Sequence, residues 1–464
     1  MSARLRMLLP LLAGLPFAAW SAAPNVIVVL GEGHGWSSTS VRMDDAVPES
    51  KSPVARTPNL ERLAREGLRM ANFYAPSPRC TPSRAALLTG KSPARLHMTF
   101  VGEGRHETGA GRIATPAALL ELPAAETTVA ALLQRAGYAT AHFGKWHLGR
   151  ADPREHGFDE SDGPTGNGGP DDVENPHPKE LDGMTARGMD FMARQAHAGR
   201  PFYLQLSHYA SRRGGTASAE ARAVVKGWGL QLGEREAAEA AADWDLDLAL
   251  GRLLEKVDAL GLAGTTYVIF TTDHGTPGKN PPLAGGKGTV SEGGLRVPFI
   301  VRGPGVPAGA CSHVRAVGAD LFPTLAELAH VPSPLPEGIE GGSLTGVWTH
   351  GGQGTVARPR AEYVVHVPHY DKDPRGPASA ILLDDFKLIR CYETGARQLY
   401  NLAGDPGERN DLAAQQPEKV RALDARLSDY LASVSAQMPS SAPSSDSGKL
   451  SGTTLDDRKG KHKR

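Results

Sequence analysis

Cysteine is scarce in this chain: three residues in 464, at Cys80, Cys311 and Cys391. So few thiols exclude a small disulfide-stapled scaffold, and an odd count leaves at least one without an internal partner. A bridge between Cys311 and Cys391 stays open as a link between a main and a C-terminal unit, although neither lies in a cysteine framework. An excess of charge of one sign is also missing, because Lys plus Arg and Asp plus Glu number 51 each. That balance argues against nucleic acid or an anionic membrane surface as partner, so any preference for anions must be local. After the first two dozen residues no apolar run is long enough to span a bilayer, and no internal repeat is found.

What is present is 40% hydrophobic and 22% charged residues with 54 Gly and 36 Pro, the composition of an α/β protein rich in loops. The start, Met1-Ser2-Ala3-Arg4-Leu5-Arg6, then an apolar run to Trp20 and the small residues Ser21, Ala22 and Ala23, reads as a signal peptide over 1–22. The run is short and broken by Pro10 and Pro16, which disfavours a retained anchor. Export to the periplasm or medium is therefore expected.

Asn25 to Leu30, NVIVVL, is a continuous β-branched run, the pattern of a strand covered on both faces. Thr57-Pro58 opens a helix that stops at Gly67. A helix over 128–136, strands over 138–143 and 202–206, a long helix over about 236–260 and a strand over 265–271 continue the alternation. Such alternation predicts a large, mostly parallel or mixed sheet with helices on both faces, and ligands beyond the carboxyl ends of its strands. We place this unit at 23–350. The Gly-, Thr- and Pro-rich stretch 338–359 reads as a connection. Beyond it, short strands at 362–366, 380–383 and 386–390 and an amphipathic helix at 417–434 predict a smaller α+β unit over 351–435. The Pro-Ser-rich, finally basic end, 436–464, is expected to be disordered.

The loops after the predicted strands carry the chemistry. They read Gly31-Glu32-Gly33-His34 after the first, Gly144-Lys145-Trp146-His147-Leu148-Gly149 after the 138–143 strand, and Thr272-Asp273-His274-Gly275 after the 265–271 strand. Lys287 and Glu292-Gly293-Gly294-Leu295-Arg296-Val297-Pro298 follow. Singly, each has a plain reading: Glu32 as a turn or cap, Lys145 as solvated surface, Asp273-His274-Gly275 as a turn. Together with Cys80-Thr81-Pro82-Ser83-Arg84-Ala85-Ala86-Leu87-Leu88-Thr89-Gly90 they place carboxylates, imidazoles, lysines and a thiol at one sheet edge.

From Asn25 to about Val434 the chain resembles the formylglycine-dependent sulfatases of the alkaline-phosphatase-like superfamily. The resemblance rests on Cys80-Thr81-Pro82-Ser83-Arg84, on the Gly144 to Gly149 motif, on Lys287 with 292–298, and on Leu399-Tyr400-Asn401-Leu402 with 405–412. It implies that a maturing enzyme oxidises Cys80 to an aldehyde whose hydrate attacks sulfur and then expels sulfate. It also implies one calcium ion, with Glu32, Cys80, Asp273 and His274 as ligands. Lys145 and Lys287 are carried over as sulfate contacts, Arg84 as a partner of the diol or of metal-bound oxygens, and His147 as the group that holds or deprotonates the diol. The expected substrate is a sulfated carbohydrate or another sulfate ester.

Two positions depart from the family. Gly33 stands where a second acidic ligand is common, leaving His34, a water or a repositioned side chain to replace it. In Ser207-His208-Tyr209-Ala210-Ser211-Arg212, Arg212 stands where a histidine commonly protonates the leaving oxygen. Arginine cannot give up a proton at working pH but binds a sulfate oxygen well, so Lys287 or His208 is left for that proton. Three functions remain compatible with these residues: an active sulfatase, a phosphodiester or phosphonate hydrolase of the same superfamily, and a degenerate binder of sulfated glycans.

Overall fold

A computed structural model describes residues 23–102, 113–167, 180–209, 216–278 and 280–441. The signal segment 1–22, Arg212 and residues 442–464 lie outside this set. The main unit is built on an eight-stranded sheet. In spatial order its strands are Ala310–Ser312, Leu68–Met70, Phe299–Arg302, Thr266–Thr272, Asn25–Gly31, Phe202–Ser207, Ala139–Gly144 and Glu160–Ser161. Thr266–Thr272 and Asn25–Gly31 pair in parallel, as do the strands from Asn25–Gly31 out to Glu160–Ser161. Phe299–Arg302 runs antiparallel to both of its neighbours, so the sheet is mixed.

The central strand shows why the apolar run was needed. Val26, Val28 and Leu30 enter one core and Ile27 and Val29 the other, as the two-residue period of a strand dictates. The first core is closed by Leu87 and Leu88 of helix Cys80–Thr89, Leu133 of Val129–Arg135 and Phe322 of Leu321–Leu328. The second is closed by Leu60 of Pro58–Glu66, Phe191 of Leu181–Ala198 and Leu250 of Glu234–Ala259. Helices thus cover both faces, and the loops at the strands' carboxyl ends are left to form a site.

The C-terminal unit is a four-stranded antiparallel meander, Tyr363–Val367, Ala378–Leu383, Phe386–Cys391 and Arg397–Asn401, with helix Pro417–Ser433 on one face. Its other face packs Val365, Ala380 and Ile389 against Tyr74, Val290 and Leu295 of the main unit.

Two expectations, on 338–359 and on the tail, are corrected, and the bridge left open above does not form. The stretch 338–359 is not wholly irregular, because Thr345–Thr349 forms a helix that buries Val347 and Trp348 in the main core. Cys311 and Cys391 are both free, one on the edge strand of the large sheet and the other in the core beneath the C-terminal sheet. Of the expected tail, Ser440–Ser441 pairs with Ile113–Ala114. Among the described residues no helix is long and apolar enough to cross a membrane.

Candidate active site

Glu32, Lys145 and Asp273 each directly follow one of the parallel strands, so backbone pairing fixes their spacing before any side-chain contact forms. Cys80 is the first residue of helix Cys80–Thr89, after an extended Arg79, and so sits at the positive end of that helix. Its Sγ lies 3.1 Å from His274 Nε2, and 3.5 Å from both Glu32 Oε1 and Lys287 Nζ. Glu32 Oε1 in turn lies 2.9 Å from Lys287 Nζ and 3.4 Å from Lys145 Nζ and His274 Nε2. All of these residues, with Arg84 and Asp273, are at most 6% exposed, so their charges act with little solvent screening.

Burial works against a charged Glu32, yet Lys145 and Lys287 outweigh it and hold the carboxyl well below its usual range. Burial likewise opposes a thiolate at Cys80, and the same two lysines with His274 reverse the effect and depress its pKa strongly. The environment is thus built to stabilise negative charge at residue 80. His274 Nδ1 faces the Gly275 carbonyl at 2.9 Å, so that nitrogen carries the hydrogen and Nε2 is left toward Cys80 and the carboxylates. Burial disfavours its imidazolium, but Asp273 and Cys80 together outweigh it and the ring is pushed up to about 9. One ligand atom from each of Glu32, Cys80, Asp273 and His274 lies within 4.8 Å of the others, so two carboxylates and an imidazole nitrogen are placed to share a divalent cation.

Of the two partners expected for Arg84, the diol or metal-bound oxygens, its contact is with an oxygen of a metal-ligand candidate. Its Nε and Nη2 lie 3.1 and 3.0 Å from Asp273 Oδ2, and Nη1 donates to the Lys145 carbonyl at 2.6 Å. It therefore ties a metal-ligand candidate to a lysine loop rather than pointing at residue 80. His147 is half-buried, and its carbonyl accepts from the Thr81 hydroxyl at 2.9 Å, which sets its backbone beside residue 80. Gly33 has φ +68°, and its N–H donates to Asp273 Oδ1 at 3.3 Å. His34 does not replace the missing carboxylate: its Nε2 turns to Asp243 at 3.1 Å, on helix Glu234–Ala259. His208 is buried; desolvation, with the charges of His34 and Arg84, pushes it down to about 3, so it is a packed neutral ring.

The C-terminal unit supplies residues that the sequence reading missed. Asp371 pairs with Arg79, next to Cys80, and His369 Nε2 lies 2.8 Å from the Thr99 hydroxyl. Lys387, wholly buried, bridges Glu292 and Glu408 at 3.0 and 2.9 Å. A signal existed for Lys387. It shares a strand face with Ile389 and Cys391, and a lysine on an apolar face needs a buried partner.

The Sulfatase family profile matches residues 24–331, and that of the N-sulphoglucosamine sulphohydrolase C-terminal region matches 286–437. Human arylsulfatase A is 31% identical, over 91% of this chain and 90% of its own. N-acetylgalactosamine-6-sulfatase of the dog is 33% identical, over 89% and 86%. The solved structure of Ps i-CgsB in complex with k-i-k-neocarrahexaose superposes with a TM-score of 0.74 at 22% identity, covering 88% of this chain and 93% of that one. With matches that run from the first strand through the C-terminal helix, the chain belongs to the sulfatase family and is a sulfuric ester hydrolase.

Proposed function

We propose that the protein is an exported sulfatase that removes sulfate from sulfated carbohydrates. In this reading residue 80 is converted to formylglycine and one calcium ion is held by Glu32, Asp273, His274 and residue 80. The observation that carries the reading is the convergence of Cys80, at a helix N-terminus, with two buried ammonium groups and two buried carboxylates. Such a site suits a tetrahedral anion bound next to a nucleophile and a cation. The name of the galactosamine sulfatase among its relatives supports a sugar ester as substrate.

The Sγ position stands in for the oxygen substituents that the same carbon carries after oxidation and hydration. That hydrated aldehyde supplies one hydroxyl to displace the alcohol from sulfur and a second to expel sulfate as the carbonyl is restored, while calcium supplies positive charge. The protein's own groups do the rest. Lys145 and Lys287 neutralise the sulfate oxygens, and Arg212 is assigned a further oxygen. Arg84 orients Asp273, and His147 holds or accepts the proton of residue 80. Of the two candidates for protonating the leaving oxygen, Lys287 lies beside residue 80 whereas His208 is a buried neutral ring. Gly33 in place of an acid lowers the charge of the ligand set, and the His274 imidazole offers nitrogen to an ion that prefers oxygen, so modest calcium affinity is predicted.

The test is to produce the chain with a formylglycine-generating enzyme, identify residue 80 by mass spectrometry, and assay turnover with calcium. An aldehyde with turnover of an aryl sulfate and of a sulfated sugar is the expected result. Faster turnover of a phosphodiester or phosphonate would reassign the substrate, and binding of sulfated glycan without turnover would make the protein a binder.

A further inference from the structure

We infer that the C-terminal sheet takes part in catalysis at a distance: Lys387 is a positioning residue that fixes the loop carrying Lys287 by holding Glu292. The inference rests on the proposed role of Lys287 as a sulfate contact.

Glu292 has bonds on every side. Its Oε1 accepts from Lys387 Nζ at 3.0 Å, its Oε2 accepts from the Tyr74 hydroxyl at 2.8 Å, and its own N–H donates to Glu408 Oε2 at 2.8 Å. Lys387 and Glu408 come from the C-terminal unit, whereas Tyr74 lies just upstream of Cys80. The residues between Lys287 and Glu292 are tethered in the same way. Gly288 N–H donates to the Pro78 carbonyl, Val290 N–H to Asp373 Oδ2, and Arg375 donates to the Ser291 hydroxyl. Asp373 and Arg375 also belong to the C-terminal unit.

The turn that Glu292 opens has no slack. Gly293 N–H donates to the Ala284 carbonyl at 2.7 Å. A Cβ on Gly293 would lie 2.5 Å from that oxygen, and one on Gly294 2.1 Å from the Thr289 carbonyl. Any movement of Glu292 is therefore passed to the residues that flank Lys287.

Adhesion between the two units is a poorer explanation of this network. Val365, Ala380 and Ile389 already pack against Val290 and Leu295. A buried ammonium between two carboxylates is costly to desolvate and adds less stability than apolar packing of the same volume. What it adds is direction, because each bond fixes one atom of Glu292.

The test is a double-mutant cycle between Lys387→Met and Lys287→Ala in the mature, calcium-saturated enzyme, read as kcat and KM for an aryl sulfate. Lys387→Met alone is expected to lower kcat about 10- to 100-fold, the scale of a small misplacement at the reacting centre. In the Lys287→Ala background the same change is expected to alter kcat less than about twofold, since a positioning effect vanishes with the group positioned. Equal loss in both backgrounds, or a folded Lys387→Met enzyme with unchanged kcat, overturns the inference and leaves the sulfatase reading standing. Unchanged turnover in Lys287→Ala by itself overturns the role of Lys287 instead, and the inference with it. If Lys387→Met does not fold, Tyr74→Phe removes the second bond on Glu292 and enters the same cycle, with an expected loss of about 3- to 10-fold.

Discussion

Glu32 sits between Lys145, Lys287 and His274 with a single oxygen, Oε1, as its common contact. Removing its charge leaves two buried ammonium groups partly uncompensated and takes a carboxylate from the metal candidates. Glu32→Gln is therefore expected to lower turnover and to raise the calcium needed for half activation by about 10²-fold, measured on chelator-treated enzyme titrated with calcium. Its neighbour explains the absent second acid. Gly33 takes a left-handed φ of +68°, and a Cβ there would sit 3.3 Å from His274 Cε1. Gly33→Ala is expected to cost about 1–2 kcal/mol in thermal unfolding and to weaken calcium activation by crowding His274. Arg84 gives a third expectation. Since its planar guanidinium joins Asp273 to the Lys145 carbonyl, Arg84→Lys should keep the charge, lose the fork and lower kcat by about 10- to 100-fold.

At the scale of elements, the strand-to-loop junctions set the site. Gly144 ends its strand with φ +93°, and a Cβ there would lie 2.1 Å from the Ser207 carbonyl of the neighbouring strand. Lys145 takes its direction from that turn, and its N–H donates to the same carbonyl at 2.7 Å. Gly144→Ala is expected to lower the melting temperature and to abolish turnover together; a variant with native melting and full turnover would show that the junction does not aim Lys145. These junctions were legible because short strand-like runs, β-branched in Asn25–Gly31 and Thr266–Thr272, pass into polar, glycine-bearing loops, a pattern with one physical reading in an α/β chain. Leu68–Met70, Phe299–Arg302 and Ala310–Ser312 were not legible, since three or four residues are too few to show a period. The partners of His34 and Arg84 were hidden for another reason. Asp243 and Asp273 are distant in sequence, and only the packed helices and strands choose which polar group meets which.

For the molecule as a whole, buried neutral histidines set the response to acid. Burial, aided by nearby charge, pushes His142 and His208 down to about 3, and burial pushes His366 down to about 4. In the unfolded chain such rings take up protons near pH 6.5, and in the native state they do not. The unfolded state therefore binds more protons below that value, and stability that is full above pH 6.5 is lost as pH falls toward 4. Each ring contributes a slope of about 1.4 kcal/mol per pH unit. Stability to heat should accordingly decline as pH falls below 6.5, and His366→Gln should show a shallower decline; an unchanged slope would remove His366 from the account.

The reversed direction of Phe299–Arg302 has one more consequence. The chain leaves Thr272 and returns at Phe299 on the same rim of the sheet, so Asp273, His274, Lys287 and Glu292 all belong to one uninterrupted excursion. A parallel successor would have forced the chain to cross to the far rim and divide that set. Because it need not cross, insertions or exchanges within this excursion can reshape the reaction centre in a single event while the scaffold underneath stays as it is.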